Sequence, residues 1–243
     1  MIKQLMMALC IVGALSSCSK DTQQSKDAEQ IEQLKARVAK LENIQTAVAQ
    51  RVGLGALVRP DTIEFGDGHL IGSEQAEVVV IEFTDLHCPF CAKFHSEVWP
   101  QLKADYIDSD KVLFVGRELP LIKLHPNAGY AAVSLRCAAK QDQYSAAKDS
   151  LFNSSQTFDN EYLAELMTEL NLDTEKMSAC LQNMDVHNGI STSLNYATSL
   201  GFNGTPVFVV GRRQGNTVTD YEIVTGASTV ESFSDLFERY LSN

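Results

Sequence analysis

The sequence predicts an α/β domain interrupted by a block of helices and preceded by a separate N-terminal helix. Three observations carry this. From Leu70 onward the hydrophobic pattern reads strand, helix, strand, helical block, two strands, helix. A Cys-x-x-Cys, Cys88-Pro89-Phe90-Cys91, stands where the first of these strands turns into the first helix. Ahead of the domain, apolar residues recur at a and d of a seven-residue repeat. At 243 residues the chain has ample length for a core. Its net charge of −11 argues against nucleic acid or an anionic membrane surface as a main partner. Six cysteines are too few for a disulfide scaffold at this length.

Residues 1–17 carry one charge, Lys3, ahead of an apolar run over residues 5–15. That run is shorter than the roughly 20 residues of a spanning helix and reads as a signal peptide. Leu15-Ser16-Ser17-Cys18 resembles the lipobox of bacterial lipoproteins. The resemblance implies cleavage before Cys18, a diacylglycerol on its thiol, and a membrane-anchored protein in the bacterial periplasm. The alternative is an ordinary signal peptide with Cys18 incidental. Ser19 in place of Asp points to the outer membrane by the sorting rule of enteric bacteria. Loss of Cys10 with the signal and lipidation of Cys18 leave Cys88, Cys91, Cys137 and Cys180, an even set suited to disulfide chemistry.

Residues 18–29 are small, polar and charged, as a tether should be. Residues 30–59 form the expected N-terminal helix. Ile31, Leu34, Val38, Leu41, Val48 and Val52 occupy a and d, with Gln45 the polar a position, Arg37 at g and Glu42 at e. A coiled coil that makes a homodimer is expected; the competing reading is a single helix lying on its own domain. Gly53, Gly55 and Pro60 end the helix.

The expected domain spans 70–243, with its helical insertion over about 120–200. Val78-Val79-Val80-Ile81-Glu82-Phe83 reads as a strand buried on both faces. The helix after Cys88 runs to about Tyr106, with Pro89 in its first turn and a kink at Pro100. Residues 111–117 make the next strand. In the helical block Phe158, Tyr162, Leu163, Leu166, Met167 and Leu170 share a face. Residues 207–210 and 221–224 read as a hairpin, and Ser228-x-x-Glu231 as a capping box for the last helix.

The position of the Cys-x-x-Cys gives it chemical meaning. Free N–H groups and the dipole at a helix N-terminus favour a thiolate at Cys88. A disulfide closed within one turn is readily exchanged, with Cys88 the good leaving sulfur and Cys91 the shielded resolving thiol. Glu82, six positions before Cys88, has two readings: a carboxyl beneath the turn that exchanges a proton with Cys91, or a solvent-facing edge residue. Thr205-Pro206 opens a strand, where a cis peptide is accessible only before proline.

These residues together resemble the thioredoxin superfamily, and more closely its DsbA branch of periplasmic thiol:disulfide interchange proteins. His125-Pro126-Asn127-Ala128 and Arg136-Cys137-Ala138-Ala139 add to the likeness, which covers roughly Ile71 to the C-terminus. The resemblance implies a thioredoxin fold with an inserted helical domain and a redox disulfide Cys88–Cys91. It makes Cys88 the exposed nucleophile, Cys91 the resolving cysteine, Glu82 the buried proton acceptor, and Thr205 with cis Pro206 the rim where a substrate peptide docks. Phe90 replaces the histidine of the best-known oxidising member, so a less depressed Cys88 pKa is expected, within about 3.5 to 7.5. His87, with Pro89 and Phe90 part of the expected active-site environment, has two readings, a partial substitute for that histidine or a solvated turn residue, with the second favoured; His95 is read as packing or surface.

Cys137 and Cys180 are expected to form a structural disulfide across two helices of the insertion, against the alternative of two separate thiols. One Cys-x-x-Cys with two distant single cysteines does not make a zinc site, and no cofactor is expected. The expected partners are exported cysteine-containing polypeptides and a membrane protein that recycles the redox pair. The direction, oxidation or isomerisation, is open in the sequence. The competing functions are a cell-envelope lipoprotein with an inert disulfide, and a copper-binding redox partner.

Overall fold

In the computed structural model, residues 27–38, 40–42, 44–49, 51–52, 54–153 and 159–242 are described. The expected signal peptide, Cys10, the lipidation site Cys18, most of the tether, Gly53 and Phe158 lie outside them. The chain forms two units, residues 1–58 and 59–243.

In the first unit the described residues of 27–51 are helical (α1), and a 3-10 turn follows at Gly55–Val58. Every apolar a and d side chain is open: Ile31, Leu34, Val38, Leu41, Val48 and Val52 are between 51% and 64% exposed.

The second unit is organised on β3 (Val78–Thr84), whose apolar run is buried along its whole length. The other strands are β1 (Thr62–Glu64), β2 (His69–Ile71), β4 (Val112–Glu118), β5 (Val207–Gln214) and β6 (Thr217–Thr225). They form a sheet in the order β1-β6-β5-β3-β4-β2. β3 and β4 run parallel, with Val78 opposite Val112 and Glu82 opposite Gly116. Their crossover is α2 (Pro89–Glu97), α3 (Trp99–Leu102) and a π turn at Lys103–Ile107. The kink expected at Pro100 is a break at Val98, two residues earlier. A proline ring crowds the carbonyl four residues before it, so the helix ends ahead of the proline. The sheet also begins before residue 70. β1 pairs with β6 and β2 with β4, both antiparallel. Three residues are too few to show an alternation, and these strands exist through their partners.

Alternate residues of β3 face opposite layers. Val79, Ile81 and Phe83 pack with Leu113, Val115, Ala197 and Phe202. Val78 and Val80 pack with Phe94, Phe114, Phe208, Phe233 and Phe237, and parity places Glu82 on this side, toward α2. The insertion consists of α4 (Ala128–Ala139), α5 (Tyr144–Asn153), α6 (Asn160–Glu169), α7 (Thr174–Leu181) and α8 (Met184–Ser199). Asp159, Asp173 and Asn183 cap the last three by accepting from N–H groups of the first turn. Small residues of α4, including Ala131, Ala132 and Ala138, let the neighbouring helices close on it. Cys137 of α4 and Cys180 of α7 are joined by a disulfide, with 5.7 Å between their Cα atoms. The final helix, α9 (Val230–Leu241), is capped by Thr229, whose hydroxyl accepts from Ser232 N–H. The cap thus falls one residue after Ser228, at the extended residue that immediately precedes the helix.

Candidate active site

β3 ends at Thr84, and Asp85-Leu86-His87 turns the chain so that Cys88 becomes the N-cap of α2, in extended conformation with φ −79° and ψ 122°. Pro89 fills the first helical position, where no N–H is needed. The turn is closed by Cys88 N–H donating to the Asp85 carbonyl at 3.0 Å, and the helix is opened by Ala92 N–H donating to the Cys88 carbonyl at 3.0 Å.

Both cysteines are free thiols. The Cys88 pKa is lowered to about 5: the Cys91 thiol bonds to its sulfur, and Thr205 and the N–H groups of Cys91 and Phe90 add to this against the opposing effect of burial. Cys91 is pushed the other way, by burial first, then by its bond to Cys88 and the charges of Cys88 and Glu82. One sulfur is therefore a thiolate at neutral pH and the other holds its proton. Cys88 is the more accessible of the two, but at 5% exposed against 0% it is not the open nucleophile of the sequence reading. The Thr205-Pro206 peptide is cis, and the Thr205 carbonyl lies 3.4 Å from Cys88 Sγ and covers it. Pro89 and Phe90 form an exposed rim beside this contact, with Phe90 61% exposed.

Glu82 is completely buried, which removes the solvent-facing reading. Its Oε2 accepts from Lys148 Nζ of α5 at 2.5 Å. His87 also departs from expectation, since it is buried. The buried Asp85 carboxylate accepts from His87 N–H at 2.8 Å and draws the turn inward. Burial lowers the His87 pKa, Asp85 opposes this, and His125 adds to it. The other Asp85 oxygen accepts from Leu121 N–H at 2.7 Å and meets His125 Nδ1 at 2.9 Å, tying the active turn to the loop after β4. His95 packs as expected, with its ring centre 4.7 Å from that of Phe152 and Nε2 2.6 Å from Asp149.

Three residues of this arrangement escape the sequence reading as site residues: Asp85, His125 and Lys148. The available signal for Lys148 is its place among Tyr144, Ala147 and Leu151 on the buried stripe of α5. Among the described residues no group of three or more His, Cys, Asp or Glu is placed to hold a metal ion.

Residues 64–230 match the family model described as Thioredoxin. A Na(+)/H(+) antiporter NhaA of Herminiimonas arsenicoxydans is 32% identical over 146 residues, 60% of this chain and 22% of that protein. A putative protein-disulfide oxidoreductase of Rickettsia conorii is 28% identical over 170 residues, 67% of this chain and 58% of that protein. The chain therefore spans less than two thirds of the length of either relative. The crystal structure of Wolbachia pipientis alpha-DsbA1 superposes with a TM-score of 0.64 at 23% identity, covering 72% of this chain and 92% of that one.

Proposed function

The chain belongs to the thioredoxin family, and from that premise we propose that it catalyses thiol:disulfide exchange, forming or isomerising disulfide bonds in exported polypeptides through Cys88 and Cys91. The observation that carries this reading is the N-cap cysteine. Its pKa, lowered to about 5, makes Cys88 a thiolate at pH 7, and the cis Thr205-Pro206 carbonyl stands against it. In the oxidising direction a substrate thiolate attacks Cys88 of the Cys88–Cys91 disulfide, and a second substrate thiol then releases the reduced pair. In isomerisation the Cys88 thiolate attacks a substrate disulfide, and Cys91 provides the escape. Thr205 and Pro206 dock the substrate backbone, Phe90 offers it an apolar contact, and Glu82 exchanges the proton of Cys91.

The rest of the assignment follows the same reading. The protein is held at the outer membrane, on its periplasmic side, by a lipid on Cys18, and a membrane protein resets the redox pair. Its open a and d stripe favours a homodimer through α1, two catalytic domains facing one substrate.

Titration of the Cys88/Cys91 pair in glutathione buffers tests the chemistry. The pair should equilibrate with glutathione and accelerate insulin reduction, and Cys88→Ser should abolish both. A bond that resists glutathione, with a serine variant indistinguishable from the parent, would establish an inert disulfide instead. Sedimentation with and without residues 19–52 tests the dimer; a monomer in both forms refutes it.

A further inference from the structure

The loop 200–206 carries the chain from α8 to β5 and passes Cys88 on the way. It is fixed at two buried points. The N–H of buried Phe202 donates to the Ala197 carbonyl at 3.0 Å. The carbonyl of buried Pro206 accepts from Gly226 N–H at 2.8 Å. Between these anchors Asn203 and Gly204 are exposed. A Cβ added at Gly204 would meet nothing within 4 Å, and among the described residues no backbone carbonyl accepts from its N–H. Asn203 Nδ2 donates to the Gly201 carbonyl at a long 3.3 Å. A second Asn-Gly pair, Asn188-Gly189, provides the contrast. Asn188 is exposed as well, but it lies inside α8. There the helical ladder takes the Gly189 N–H, and Cα–Cβ bonds tilt toward the N-terminus, away from the next amide. Gly189 also has a packing reason, since a Cβ there would strike the Arg136 guanidinium.

We propose that Asn203 is a site of spontaneous modification that governs the neighbouring thiol: its side-chain amide cyclises onto the Gly204 nitrogen and opens to aspartate or isoaspartate, which slows exchange at Cys88. The effect on exchange rests on the chemistry proposed above; the modification itself does not. In the first step the Gly204 backbone nitrogen attacks Asn203 Cγ. A new C–N bond forms, the Cγ–Nδ2 bond breaks, and ammonia leaves with the proton of the Gly204 amide. Water then opens the succinimide ring. Hydrolysis at Cγ leaves aspartate on an unaltered main chain, and hydrolysis at the main-chain carbonyl leaves isoaspartate, with the chain running through Cβ and Cγ. Nothing is oxidised or reduced, and water is the one co-reactant. The first step needs an exposed main-chain amide with no side chain crowding it, which is the arrangement at 203–204.

Both products act on one point, the Thr205 carbonyl, which lies 3.4 Å from Cys88 Sγ. Isoaspartate adds a backbone atom between Phe202 and Pro206. Because those two residues are held in the core, the extra length is taken up at 203–205, which displaces the carbonyl from the sulfur. Both products also bring a carboxylate. Two residues of chain and the carbonyl contact put it within about 15 Å of Cys88 Sγ. A negative charge there disfavours the thiolate. Isoaspartate therefore combines two effects and aspartate has one.

The test ages the full mature chain in mildly alkaline buffer, with Cys88 and Cys91 held as their disulfide and reduced before assay. Trypsin releases residues 177–212 as one fragment that carries both Asn-Gly pairs, so mass spectrometry reads the two in the same sample. Residue 203 should show the amide-to-acid mass change, with isoaspartate marked by an isoaspartyl methyltransferase, while residue 188 stays an amide. Insulin reduction per chain should fall as residue 203 converts, isoaspartate chains being about tenfold slower than fresh ones. Asn203→Asp, which carries the charge on an unaltered main chain, should be slowed less. Asn203→Gln, whose longer side chain closes a ring less readily, should keep its rate throughout. An Asn203 that stays an amide, equal conversion at 188 and 203, converted chains as fast as fresh ones, or an Asn203→Gln that decays like the parent each overturn the inference. A fresh parent that leaves insulin and glutathione unreacted refutes the proposed function, on a sample in which residue 203 is still followed by mass. An active parent with a stable Asn203 refutes the modification alone.

Discussion

Replacing Cys91 by Ala removes the first cause of the low Cys88 pKa, and its effect can be worked from the structure. Moving the Cys88 thiol from 9.0 to about 5 corresponds to about 5 kcal/mol in favour of the thiolate, at 1.36 kcal/mol per pH unit. A folded-state pKa below the unfolded value stabilises the reduced fold fully above the unfolded pKa and loses that stabilisation as pH falls through about 5. At pH 7, midway between the two values, about 3 kcal/mol remains. For a two-electron couple this makes the disulfide about 60 mV more oxidising. A hydrogen bond to a charged group contributes roughly 1.5–3 kcal/mol, so Cys91→Ala should raise the Cys88 pKa to about 6–7. Cys91→Ser, which still offers a hydroxyl donor, should stay closer to the parent. Thiolate absorbance against pH reads the titration directly, and iodoacetamide alkylation rates give a second measure. If Cys91→Ala still titrates near 5, or if Ala and Ser coincide, the Cys91 thiol is not what anchors the charge.

Three further outcomes are expected. Replacing Cys137 and Cys180 together by Ala opens a link between residues 43 apart and should cost about 4 kcal/mol in denaturant unfolding on the loop-entropy account, while the Cys88 titration stays where it is. Gly116→Ala places a Cβ against the Tyr144 hydroxyl. The resulting overpacking should lower stability by about 1–3 kcal/mol, visible as a shifted urea midpoint. Changing both Leu34 and Leu41 of α1, 56% and 64% exposed, to Lys should convert a sedimenting dimer to monomer without altering insulin reduction per site at saturating enzyme.

What was legible in the sequence follows from how locally each feature is encoded. β3 announces itself because a strand buried on both faces is a continuous apolar run, and Cys88, Cys91 and Pro206 lie at its end or beside it in the fold. β1 and β2 are invisible because three residues carry no period; their stability resides in β6 and β4. His87 reads as solvated because its type suits a turn, and only Asp85, folding back onto that turn's own N–H, shows why it is buried. Glu82 is the more instructive case. In a strand buried on both faces parity says which layer a side chain meets but not whether water reaches it, so the carboxyl alone leaves two readings open. What closes the question is a counter-charge, and that lies 66 residues away in another part of the chain. Burying either charge alone would cost several kcal/mol, so each is intelligible only with the other. A lysine on the apolar stripe of α5 and a glutamate in an apolar strand are, taken separately, two violations of the same rule; together they satisfy it, and they fasten the helical insertion to the floor of the active site.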